Sequence, residues 1–337
     1  MSFERIGGET IVLFQDLRER LETAEAMRSI SSLAGEFTTK TVKGGLYHYF
    51  QAIVPGGRVQ IYLGRDSKET RRLIEERSEG RTAVEADIIL FQRLVSQIIA
   101  GGVPPVPPDT GRIIRRLADS AVFRVGGVLV GSVAFHIICT HLGVNPEQAL
   151  RTTQDIDIAG DTRIAVAVPG ERADIPAAID SLRMGFFPVP RLSNKEPSTS
   201  FAIRGKTLRI DMLTPMKRGG SKPVFIPRLN VAAQPLKYLD YLLEDPLATA
   251  MVCAEPCMVK VPQPARFALH KLIVSNERDI TSAGKKGKDI AQASVILDVL
   301  RQDRPGDIEA AREAMAHRHA SWMKKLDRAC KNAGVKL

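Results

Sequence analysis

Asp155 and Asp157 stand one residue apart in the apolar run Asp155-Ile156-Asp157-Ile158. On a β-strand, alternate side chains share a face, so both carboxylates project together while Ile156 and Ile158 point to the core. Adjacent carboxylates repel unless a cation sits between them. Mg²⁺ is the hard cation usually held by one or two carboxylates together with substrate phosphates. A third carboxylate follows in KTLRIDMLTP, where Asp211 lies opposite the core-facing Leu208, Ile210 and Met212. Three such groups can hold two divalent ions and steady the attacking and leaving oxygens of phosphoryl or nucleotidyl transfer. An isolated Asp-x-Asp, by contrast, is more often an edge strand facing water.

Upstream, VGGVLVGSVAFHIICTHLG reads as an apolar strand ending at Val130, then Gly131-Ser132, then a helix. Free backbone N–H groups at a helix start, a glycine that permits close approach and a serine hydroxyl make a phosphate cradle, although serine is also an ordinary helix cap. Downstream, PARFALHKLIVSNERDI is a helix opened by Pro264, with Lys271 and Arg278 seven residues apart and so on one face. Lys285, Lys286 and Lys288 precede Asp289 at the start of another helix, a run that fits a polyanion or a solvated loop equally well. His270 reads as structural, and His317-Arg318-His319 as the surface of a terminal helix.

The order of strand, Gly-Ser, helix, Asp-x-Asp strand and later Asp strand resembles the DNA polymerase beta-like nucleotidyltransferase superfamily over about residues 120–215. More closely, FRVGGVLVGSVAFHI, TQDIDIA and VPQPARFALHKLIVSNER look like a bacterial branch of nucleotidyltransferase-fold proteins, a likeness reaching about residue 300. The resemblance implies that Asp155 and Asp157 bind two Mg²⁺ (or Mn²⁺) ions. It also implies that Asp211 binds the catalytic ion and helps deprotonate the acceptor hydroxyl. Gly131 and Ser132 would hold the phosphates of an NTP, with Lys271, Arg278 and Lys288 as further nucleotide-binding cations. The implied reaction moves NMP to an acceptor hydroxyl and releases pyrophosphate. An RNA 3′ end, tRNA among the candidates, is the favoured acceptor, in a toxin-like role. The alternative is a catalytically idle nucleotidyltransferase fold that binds nucleic acid or a partner. One departure stands out: 22 residues separate Ser132 from Asp155, longer than the usual interval.

The elements that must position these residues can be read around them. Residues 10–34 carry Leu13, Leu17, Leu21, Ala24 and Met27 at three- and four-residue steps, which predicts an amphipathic helix. Residues 37–64, broken by Gly44-Gly45 and Pro55-Gly56-Gly57, predict three antiparallel strands. KGGLYHYFQ and RVQIYLG in that stretch resemble the β-meander modules of some mobile-element and DNA-binding proteins. Tyr47, Tyr49 and Tyr62 with Lys40, Lys43 and Arg58 could meet a nucleic acid, but aromatics in a small sheet more often pack against neighbouring helices. Helix is expected again over 66–99, with Asp66 and Ser67 as candidate caps. VPPVPPDTG at 103–111 reads as a proline-rich linker. Further on come a helix at 112–119, strands at about 122–130, 154–159, 199–203 and 207–213, and helices at 133–142 and 172–184. Beyond 230 the chain reads as mostly helical, with a strand pair near 249–261. The expected class is α+β, a nucleotidyltransferase-type mixed sheet with flanking helices. Its expected parts are a helix and meander module over 1–102, the linker, a core over 112–230 and a basic helical region over 231–337.

Bulk properties narrow the function classes. Residues 201–337 hold 24 Lys and Arg against 14 Asp and Glu, which accounts for the whole net charge of +10 and suits nucleotides or RNA. No apolar run approaches the roughly 20 residues that span a bilayer. MSFERIGGETIVLFQDL does not read as a signal peptide, so the expected location is the cytoplasm. Cys139, Cys253, Cys257 and Cys330 then read as reduced thiols, Cys253-x-x-x-Cys257 lacking the second ligand pair of a zinc site.

Overall fold

In the computed structural model, which describes residues 3–31, 35–42, 44–54, 57–66, 71, 74, 89–151, 155–161, 172–191, 193, 196–217, 220–278 and 283–337, the chain begins with β1 (Phe3–Arg5) and α1 (Gly8–Ser31). Phe14, Leu17 and Leu21 recur at helical spacing along α1 and are buried. β2 (Gly35–Val42), β3 (Gly45–Val54) and β4 (Gly57–Arg65) form the expected antiparallel meander, its first turn carrying Gly44 at φ +75°. Lys40 Nζ in that sheet donates to Gln60 Oε1 (2.7 Å) and lies 5.3 Å from the Tyr49 ring centre. Lys43 and the side chains of Arg58 and Tyr62 lie outside the described residues, as does most of the helix expected over 66–88. α2 (89–100) buries Phe91, Leu94, Val95 and Ile98 in one cluster with α1, Ala250 and Val252.

α3 (Pro108–Asp119) opens on a proline and buries Ile113, Ile114 and Leu117. β5 (Val128–Val130) runs directly into α4 (Gly131–His141). β6 (Val144–Pro146) pairs antiparallel with β1, and α5 (Gln148–Arg151) precedes β7 (Asp155–Ala159). The 22-residue interval after Ser132 is thus taken up by the rest of α4, β6 and α5, with residues 152–154 outside the described set. α6 (Ile175–Asp180) is capped by Asp174, whose Oδ1 accepts from the Ala177 N–H (2.9 Å). Then come β8 (Phe186–Pro188), β9 (Ser200–Ile203), β10 (Arg209–Pro215), β11 (Val224–Ile226) and β12 (Val231–Leu236).

These strands make one mixed sheet in the order β11-β12-β10-β7-β5, with β9 on β10 and β8 beyond it. β10 is parallel to β7 and β12, whereas β5 is antiparallel to β7. The α+β class is therefore observed, and β12 carries the sheet past residue 230. Two differences from the sequence reading concern short elements. The strand expected from 122 shrinks to Val128–Val130, because Ala121 and Gly126 take positive φ (+65° and +97°) and fold the preceding residues into turns. The β11–β12 hairpin and β8 were not expected: β8 and β11 span three residues each, and VAAQPL of β12 does not alternate apolar with polar residues.

The C-terminal part holds α7 (Leu239–Leu242), the hairpin β13 (Leu247–Met251) and β14 (Cys257–Val261), then α8 (Pro264–Glu277), α9 (Ala283–Asp303), α10 (Pro305–Arg318) and α11 (Ala320–Ala333). It shares one hydrophobic core with the sheet. Phe135 of α4 stacks on Phe267 of α8 with ring centres 6.4 Å apart, fixing the two helices that flank the acidic strands. All four cysteines are buried and unpaired. No helix among the described residues is long and apolar enough to cross a membrane.

Candidate active site

The register of β7 and β10 decides what the acidic residues can do together. Asp157 lies directly beside Asp211, and Asp155 beside Arg209, while Val130 of β5 flanks Asp157 on the other side. Ile156, Ile158, Ile210 and Met212 are buried, and the alternate residues Asp155, Asp157 and Asp211 are half-buried. Each of those isoleucines contributes roughly 2 kcal/mol of burial, and a one-residue slip would turn every carboxylate into the core. All three aspartates therefore share one face of the sheet, together with Arg209.

Gly131 makes the closest approach to that face. Its φ is +69°, and a Cβ built on it would lie 2.1 Å from Asp157 Oδ2. Only glycine lets the carboxylate rest against the first turn of α4, where free N–H groups and the helix dipole favour negative charge. Even so, burial together with the negative charges of Asp211 and Asp155 pushes the Asp157 carboxyl up to about 7, against a smaller opposing pull from Lys271 and Lys285.

Asp211 is engaged differently. Its Oδ1 accepts from Ser200 Oγ (2.5 Å) and from Arg209 Nε (2.7 Å), and Arg209 also donates to Ser200 Oγ (2.8 Å). Both contacts fall on Oδ1, and among the described residues Oδ2 accepts no hydrogen bond. Asp211 thus leans on Arg209 and Ser200, and no group of three His, Cys, Asp or Glu side chains among the described residues is gathered tightly enough to hold a metal ion. The donor chemistry nevertheless fits a hard divalent ion. The oxygens are carboxylate oxygens, and the Asp157 carboxyl is raised by burial and then by the like charges of Asp211 and Asp155, which such an ion would offset.

A cavity of about 460 Å³ opens beside this face. Gly131, Asp157, Lys271 and Arg278 line it, whereas Ser132, Asp155, Asp211 and Lys288 are not part of its wall. Lys271 and Arg278 point to one place because a single carboxylate holds both. Asp289 Oδ1 accepts from Lys271 Nζ (2.6 Å) and Oδ2 from Arg278 Nε (2.6 Å), with the Asp289 side chain only 5% exposed. Lys288, on the same turn, has its ammonium lowered by burial and by Lys271, with Asp289 and Asp155 opposing. The lysine run lies inside the first two turns of α9 rather than ahead of a helix. Ser132 is held from α9 as well, by Gln292 Nε2, which donates to Ser132 Oγ (3.3 Å) and to the Leu150 carbonyl (2.8 Å). His270 also lines the cavity, and burial pushes its imidazole down to about 3, leaving it neutral.

Four residues with a place here were not picked out from the sequence: Asp289, Gln292, Arg209 and Ser200. Asp289 and Gln292 left a usable signal, since both fall on the apolar stripe of α9 with Ala293, Ile296 and Leu300, where a polar group needs a partner. Arg209 also left one, being two residues from Asp211 on the same strand face, but Ser200 left none, because only the β9–β10 pairing sets it opposite Asp211.

Comparison with known proteins gives one broad match. A family described as nucleotidyltransferase matches residues 108–316, a span that holds every residue of this site. Among curated proteins none matches. Among solved structures, an antigenic nucleotidyltransferase-like protein from Paracoccidioides brasiliensis is similar at 16% identity and a TM-score of 0.32, over 66% of this chain and 95% of that one.

Proposed function

The chain belongs to the nucleotidyltransferase family, and from that premise we propose that it transfers NMP from an NTP to an acceptor hydroxyl with the help of Mg²⁺. The observation that carries this reading is the side-by-side placement of Asp157 and Asp211, with Asp157 lining a cavity that Lys271 and Arg278 also line. That combination brings carboxylates and cations to one cavity of about 460 Å³, a size that suits a nucleotide.

The α4 N-terminus at Gly131 and the cations Lys271 and Arg278 bind the phosphates and orient the α-phosphorus toward β7 and β10. Asp155, Asp157 and Asp211 are the residues that would hold divalent ions, which supply charge neutralisation at the attacking and leaving oxygens. The acceptor oxygen bonds to the α-phosphorus, the bond to pyrophosphate breaks, and Asp211 Oδ2 receives the hydroxyl proton. The apolar wall formed by Leu213, Leu236, Leu239 and Val274 excludes water that would compete as acceptor. An RNA 3′ end is the favoured acceptor, supported by the basic excess beyond residue 200 and by exposed Lys285, Lys324, Arg328 and Lys331.

Incubating the protein with α-³²P-labelled NTPs, Mg²⁺ and either total RNA or total protein tests the reading. Label on RNA, absent with Asp157→Asn, supports it. Label on protein alone refutes the RNA acceptor, and free NMP without a labelled acceptor refutes transfer.

A further inference from the structure

The middle of α9 carries a polar side chain where an apolar one would pack without cost. Gln292 is fully buried, on a helix whose other buried residues include Ala293, Val295, Ile296 and Leu297. Its amide is only half used. Nε2 donates to the Leu150 carbonyl (2.8 Å) and to Ser132 Oγ (3.3 Å), whereas Oε1 has no hydrogen-bond partner among the described residues. A buried acceptor left unpaired destabilises a fold, and leucine or methionine at this position would not carry that penalty.

The Leu150 carbonyl decides which way the amide is turned. A carbonyl only accepts, so the nitrogen of Gln292 and not its oxygen faces it. The second N–H of that nitrogen is then directed at Ser132, whose oxygen receives it. A hydroxyl that accepts in this way keeps its own proton for another partner, and among the described residues none takes it. Ser132 is half-buried in the first turn of α4, next to Gly131 of the cavity wall and beside the free N–H groups of the helix start.

We propose that Gln292 is a positioning residue that commits the Ser132 hydroxyl to donating to a substrate phosphate. The inference rests on the NTP reading of the site and adds to it a residue that acts through the serine rather than on the substrate. An unrestrained hydroxyl rotates, and in some orientations it turns its lone pairs toward an anion. Gln292 occupies a lone pair of Oγ and leaves the proton for a phosphate oxygen, a charge-assisted bond stronger than a neutral one. A carboxylate at position 292 would do the reverse and draw the serine proton toward itself. α9 then arranges both kinds of phosphate contact, since Asp289, three residues earlier, holds Lys271 and Arg278.

Calorimetric titration of the full chain with inorganic tripolyphosphate in Mg²⁺ reads the phosphate contacts without a base and without turnover. Ser132→Ala should weaken binding about tenfold, the loss of one hydrogen bond to a charged group. Gln292→Met, similar in length and with its fold checked by circular dichroism, should weaken binding at least about threefold in the natural chain and leave it unchanged in a chain that already carries Ser132→Ala. Should Gln292→Met not fold, Gln292→Asn, one methylene too short to reach both partners, takes its place in the same cycle. Equal weakening with and without the Ser132 hydroxyl marks Gln292 as a structural strut and overturns the proposal, as does an unchanged affinity in either single variant, and in each case the NTP site stands. Failure of tripolyphosphate to bind the natural chain overturns both.

Discussion

Replacing Asp157 by Asn should stabilise the protein while abolishing transfer, and the size of the effect follows from its surroundings. Burial beside Asp211 and Asp155 raises the Asp157 carboxyl from 3.8 to about 7. Below pH 4 the group is protonated in both the folded and the unfolded chain, so it has no effect on the balance. Between pH 4 and 7 the unfolded chain releases the proton while the folded one keeps it, and stability falls as pH rises. Above pH 7 the penalty is complete, at most about 4 kcal/mol at roughly 1.4 kcal/mol per pH unit, with solvent at the cavity mouth reducing it to a few. Asn has nearly the same shape and no charge. In EDTA the variant should therefore melt several degrees above the natural chain at pH 8 and level with it at pH 4, and added Mg²⁺ should narrow the gap at pH 8. Thermal unfolding followed by circular dichroism across that range reads the effect directly. A variant that melts lower at pH 8, or a gap that does not change with pH, would refute the picture of crowded, uncompensated carboxylates.

Gly131→Ala should remove transfer and cost about 1–3 kcal/mol, since the new Cβ collides with Asp157 Oδ2 at a positive φ; activity together with thermal denaturation checks both. Asp289→Ala should destabilise the fold by about 3–5 kcal/mol because Lys271 and Arg278 lose their shared anion, and Asp289→Asn, milder in stability, should raise KM for NTP more than it lowers kcat. The neutral His270 titrates far below physiological pH, so His270→Gln should leave the shape of the pH–rate profile between pH 5.5 and 8 unchanged, and a lost limb would reassign it as a proton carrier.

Residues whose neighbours in sequence are also their neighbours in space were legible in advance. The alternation at Asp155–Ala159 and Arg209–Pro215 announced both acidic strands, and Val130-Gly131-Ser132 announced a strand passing into a helix, because periodicity and glycine act over a few residues. The family likeness read from those motifs is matched by the family hit over residues 108–316. Illegible features depend on pairing across long separations. That Arg209 would be drawn to Asp211 follows from their shared strand face, but that Ser200 would join them depends on β9 folding back onto β10. Likewise Lys271 and Arg278 could be set on one helix face, yet the carboxylate that joins them comes from α9. The span 122–127 misled because its apolar residues are buried in turns rather than in a ladder, and burial alone does not distinguish the two.

α9 has a mechanical consequence. One rigid rod carries the grip on the serine, through Gln292, and the grip on both cavity cations, through Asp289, less than a full helical turn apart. Prising the helical half from the sheet would release the serine from Gln292 while Lys271, Arg278 and Asp289, all on that half, stay joined to one another and move as one body.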